Sequence, residues 1–173
     1  MTSGPRELTE ADRHRILVEW NDTGAPVPGG SVADLVAAQV AGRPGRPAVT
    51  FGATTLTYAE LDRRAGALAR RLTQVGVGPG VLVGVFLERS EQMVVALLAI
   101  VRAGGAYVPL DPGFPTDRIA LMIGDCAASV LLTEVNVLDA LPPHGAAVVL
   151  TGEEADGGPA PLAAGADDLA YVI

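Results

Sequence analysis

Apolar and polar positions recur along this chain with two different periods. Behind Thr57, the residues Leu61, Ala65, Leu68, Leu72 and Val75 return at intervals of four and three, which places them on one face of an α-helix. Thr57 and Glu60 form the two halves of a capping box, so the helix is predicted to start there. Arg63, Arg70 and Arg71 fall on the opposite side and read as a solvated face. The run 81–87, Val-Leu-Val-Gly-Val-Phe-Leu, is apolar without alternation, as expected of a parallel strand buried on both faces. Ser90 caps a predicted helix over 91–102, apolar nearly all round, and 106–110 supplies the next strand. A helix over 117–123 stopped by Gly124, a strand at 128–132, a short helix at 134–141 and a strand at 146–150 complete the alternation. Residues 151–167 read as loop, and 168–173 opens one more strand.

Upstream, 8–20 reads as a short helix capped by Thr9, with Ile16, Leu17 and Trp20 as an apolar stripe. Nothing adjacent in sequence buries that stripe, so it is expected to dock on the main body or on a partner. Residues 21–30 are linker, with three glycines and two prolines. Ser31 and Asp34 form a second capping pair for a helix ended by Gly42 and Pro44. A strand at 47–51, a Gly52-Ala53 turn and a return at 54–56 make a hairpin. The succession of strand, helix and strand predicts an α/β fold, a mostly parallel sheet with helices on both faces.

Composition narrows the class. About half of the 173 residues are apolar, with few aromatics, so the chain is globular around an aliphatic core. Every basic residue apart from the two histidines is arginine; there is no lysine, and chemistry needing a lysine amine cannot come from this chain alone. A net charge of −8 with dispersed arginines argues against nucleic-acid binding, which needs clustered positive charge. The one cysteine, Cys126, excludes an internal disulfide and reads as a buried structural thiol. The first residues lack the apolar core of a signal peptide, and no run approaches the roughly 20 apolar residues of a membrane span. A cytoplasmic location and no membrane partner are the expectation.

Candidate chemistry is sparse. Gly76 to Gly80 follows a helix and leads into a strand, the reverse of the order in phosphate-cradling loops, so it reads as a helix cap and turn. His14 and His144 have no partner at metal-ligand spacing, and Ser31 and Ser90 serve as caps. The most specified stretch is 102–115, Arg-Ala-Gly-Gly-Ala-Tyr-Val-Pro-Leu-Asp-Pro-Gly-Phe-Pro. Gly104 and Gly105 end the apolar helix, and Pro109, Pro112 and Pro115 fix a rigid path onward. Asp111, the tempting acid in this stretch, is assigned an Asx-type turn before Pro112.

Three segments carry a family resemblance. Residues 56–61, Leu-Thr-Tyr-Ala-Glu-Leu, resemble the first core motif of the adenylation domains of nonribosomal peptide synthetases. Residues 102–112, with Phe114, Pro115 and Arg118 after them, resemble the second. Residues 168–173, Asp-Leu-Ala-Tyr-Val-Ile, look like the lead-in to the third, a phosphate-binding loop. Upstream, Glu19-Trp-Asn-Asp-Thr23 resembles the join between a condensation and an adenylation domain. The resemblance implies a division into a junction, 1–30, and a partial large N-terminal subdomain of an adenylate-forming enzyme, 31–173. It implies an enzyme that uses ATP and Mg²⁺ to make an aminoacyl adenylate and passes the acyl group to a carrier-protein phosphopantetheine thiol. The family's phosphate loop, amino-acid pocket and catalytic lysine would lie beyond Ile173. No catalytic, cofactor-binding or metal-ligating residue is therefore assigned here, no cofactor is expected on this portion, and the portion is expected to be inactive alone. Its implied partners are the remainder of the adenylation domain, condensation and carrier domains, and an MbtH-like protein. Two other readings stand beside this one: a binding module that docks an MbtH-like activator or the rest of a split enzyme, and a fragment of an acyl-CoA ligase.

Overall fold

The computed structural model describes residues 8–26, 29–152 and 165–173. The first residues of the chain, part of the linker and most of the expected loop at 151–167 lie outside the described residues.

A four-stranded, wholly parallel sheet has the order β4-β3-β5-β6, from β3 (Leu82–Phe86), β4 (Ala106–Pro109), β5 (Val130–Thr133) and β6 (Ala147–Leu150). Side-chain alternation sorts its residues onto two cores. Val83, Val85, Val130, Leu132 and Val149 face α3 (Tyr58–Gln74) and α4 (Glu91–Arg102). Phe86, Val108 and Leu131 face Ile119 and Ile123 of α5 (Thr116–Cys126). Because both faces are covered, the strands carry apolar residues at successive positions, and the expected α/β architecture holds. Tyr171 bridges to Tyr107 in parallel beyond β4, with Tyr107 N–H donating to the Ala170 carbonyl and Val172 N–H to the Tyr107 carbonyl. The expected strand at 168–173 is thus one bridge long. An antiparallel hairpin of β1 (Pro47–Phe51) and β2 (Thr54–Thr57) leads into α3.

Three helices begin on complete capping boxes. They are Thr9 with Asp12 for α1 (Glu10–Leu17), Ser31 with Asp34 for α2 (Val32–Gly42), and Thr57 with Glu60 for α3. In each, the acid accepts from the cap's N–H and hydroxyl, and this holds its carboxyl below the ordinary range. The other end of α3 corrects the apolar-stripe reading. Val75 is 46% exposed, because the helix stops there. Gly76 takes the left-handed conformation, φ 93°, so that its N–H reaches the Thr73 carbonyl and Val77 N–H reaches that of Leu72. This Schellman turn folds Val77 back, and Val77 is buried in Val75's stead. α4 ends in the same manner: Gly104, φ 86°, donates to Val101 and Gly105 to Ile100.

Several boundaries differ from expectation. The N-terminal helix is two pieces, α1 and a 3₁₀ turn at Glu19–Asn21, because the Asn21 side-chain amide donates to the Ile16 carbonyl at 2.7 Å and terminates the first. Its stripe is not buried: Leu17 is 64% and Trp20 66% exposed. Gly124 does not stop α5, which continues to Cys126 and closes on Ala127 with φ 48°. Cys126, at that last turn, is half buried, not buried. The helix expected at 134–141 is only a 3₁₀ turn, Leu138–Ala140. Among the described residues no helix is long and apolar enough to cross a membrane.

Candidate functional site

The carboxyl ends of parallel strands in an open α/β sheet are where ligands usually bind, and the described residues form a cavity of about 610 Å³ there. Its wall runs from the end of β3, through Val85, Leu87, Glu88 and Arg89, to Met93 and Leu97 on α4. Tyr107 and Pro109 of β4 and the loop Leu110–Gly113 close it. Local chemistry sets each part. Leu110 N–H donates to the Val85 carbonyl at 2.9 Å, so the β3–β4 ladder persists to the cavity. Ser90 caps α4 by accepting from Met93 N–H, which fixes the turn carrying Glu88 and Arg89. Asp111 Oδ1 accepts from Gly113 N–H at 2.8 Å, and Phe114 N–H donates to the Asp111 carbonyl. The carboxylate therefore shapes its own turn, as its assignment to an Asx-type turn requires. Beyond it, the Arg118 guanidinium lies 4.0 Å from the centre of the Phe114 ring, which ties the start of α5 to the proline-rich path.

This recess does not assemble a catalytic group. Its charged residues are the exposed Glu88 and Arg89 and the turn-forming Asp111. One guanidinium between two carboxylates is a poor seat for a triphosphate. Among the described residues no three His, Cys, Asp or Glu side chains are placed to hold a metal ion. His14 sits on α1 and His144 in the loop before β6, both on segments that contribute nothing to the cavity. ATP and Mg²⁺ thus do not fit the residues assembled here, and no step of chemistry through them is assigned to this chain.

Two arginines act where sequence reading placed none. Arg102, 4% exposed, forms an ion pair with Asp62, and its Nη1 donates to the Asp62 carbonyl at 3.0 Å. The pair fastens the end of α4 to α3 just before the Gly104–Gly105 turn. An arginine closing an otherwise apolar helix inside a recognisable motif was the available signal, since a charge is buried only with a partner. Arg71 Nη1 donates to the Leu150 carbonyl at 2.9 Å. Arg70 and Arg71 are half buried, and of the three arginines read as a solvated face only Arg63 is exposed.

At the edge of the sheet, Tyr107 stacks on Tyr171 with ring centres 5.5 Å apart. One wall of the cavity is thereby continuous with the 168–173 segment.

The sequence profile described as "AMP-binding enzyme" matches residues 36–173. Chondramide synthase cmdD of Chondromyces crocatus is 45% identical over 96% of this chain and 4% of its own length. Bacitracin synthase 2 of Bacillus licheniformis is 38% identical over 96% of this chain and 6% of its own length. The crystal structure of the nonribosomal peptide synthetase FmoA3 with α-methyl-L-serine-AMP bound superposes with a TM-score of 0.85 at 36% identity. It covers 95% of this chain and 19% of that one. The AMPPNP-bound form of FmoA3 gives 0.86. The chain thus spans a few per cent of its curated relatives and about a fifth of the structure it matches.

Proposed function

The chain belongs to the AMP-binding enzyme family, within which it corresponds to an N-terminal part of a nonribosomal peptide synthetase adenylation domain, and from that membership we propose that it builds the scaffold on which a longer protein activates an amino acid. The reaction is attack of the amino-acid carboxylate on the α-phosphate of ATP. It gives an aminoacyl adenylate and pyrophosphate; a carrier-protein thiol then attacks the acyl carbon, forming a thioester and releasing AMP. Such chemistry depends on positioning and charge neutralisation. The contribution of these residues is positioning. The doubly covered sheet, the two Schellman turns and the proline-rich path set the carboxyl ends of β3 and β4 and the edge at Tyr171. ATP and Mg²⁺ are held by residues of the longer protein, and no residue of 1–173 is assigned a catalytic, nucleotide-binding or metal-binding role. The observation that carries this reading is agreement with FmoA3 over 95% of the chain. The similarity to peptide synthetases also favours the amino-acid branch over the acyl-CoA ligases.

Residues 1–30 are proposed as the junction from a preceding condensation domain, and 31–173 as the partial subdomain. The exposed Leu17, Val18 and Trp20 support the junction as a contact surface, with a neighbouring domain or an MbtH-like protein as the partners to test.

ATP–pyrophosphate exchange across a panel of amino acids tests the activity. The protein containing a whole adenylation domain is expected to exchange with one or a few amino acids, and residues 1–173 alone with none. Exchange by 1–173 alone overturns the scaffold reading. No exchange by the complete domain with any amino acid overturns the proposed reaction.

A further inference from the structure

We draw no further inference here: the strongest candidate, the apolar cavity at the carboxyl ends of β3 and β4 walled by Met93, Tyr107 and Leu110 with the exposed Glu88 and Arg89 beside it, carries nothing because nothing in the structure shows what covers it.

Discussion

α4 and α5 lie on opposite faces of the same sheet, and each ends at a left-handed residue, glycine in one and alanine in the other. α4 stops where Gly104 turns left-handed, and the next residue, Gly105, passes close under a neighbour. A Cβ on Gly105 would sit 2.7 Å from Val77 Cγ1 and 3.2 Å from the Val81 carbonyl oxygen. The two Schellman turns therefore touch, and Ala106 N–H donates to that same Val81 carbonyl as β4 begins. α5 has a glycine too, but Gly124 is an ordinary helical residue with open space where its Cβ would be. The left-handed position falls three residues later, on Ala127. A glycine stops a helix here where it takes the left-handed position, as Gly76 and Gly104 do and Gly124 does not. α5 runs two residues past Gly124, to Cys126, which still packs on the second core.

Exchanging glycine and alanine at these ends puts the comparison at risk. Gly105→Ala is expected to cost the most, about 1–3 kcal/mol in urea unfolding, because one of its neighbours is backbone and the other a branched side chain. A cost near zero would mean that the two turns do not touch. Gly104→Ala is expected to cost about 1–2 kcal/mol from the left-handed conformation alone. At the other helix the sign reverses. Gly124→Ala and Ala127→Gly are each expected to stabilise by about 0.5–1 kcal/mol, the first by removing a helical glycine and the second by relieving a Cβ at positive φ. Destabilisation by Gly124→Ala would place the stop at Gly124 after all.

The smallest effect lies at the helix starts. Glu60 accepts from Thr57 N–H at 2.8 Å and from its hydroxyl at 2.9 Å, and its carboxyl is held low in the folded protein. The folded state therefore binds this proton less readily than the unfolded chain. The contribution is complete above the unfolded pKa and is lost as pH falls through the lowered folded one. Glu60→Gln should flatten the decline in stability between about pH 5 and pH 3. An unchanged acid slope would show that the capping carboxylate does not titrate with folding.

Much of this architecture was legible because it rests on local chemistry. Two capping boxes, the Thr9 cap, a hairpin and four parallel strands follow from neighbours within a few residues, or from apolar runs that only a doubly covered sheet explains. The failures were of two kinds, local choices of helix end and contacts between distant residues. The ends of α3 and α5 turn on which residue goes left-handed, Gly76 in one and Ala127 in the other, and the apolar pattern does not show that choice. The partners of Arg102 and Arg71 are Asp62 and Leu150, forty and seventy-nine residues away. The cavity was invisible for the same reason, since its walls come from two strands, a helix and a loop. Asp111 was readable because its bond partner is two residues on.

The strand order also has a consequence in time. β3 meets β4 after one crossover, but its other neighbour, β5, lies beyond α4, β4 and α5 in the chain. Closing the longer loop costs more entropy, and pairing of distant strands slows folding. As the chain leaves the ribosome, Leu82–Phe86 presents one bare, apolar edge until residues 130–133 have followed it out. An edge of that kind is a template for pairing with a foreign strand. A strand that the finished molecule covers on both faces is for that interval its most vulnerable.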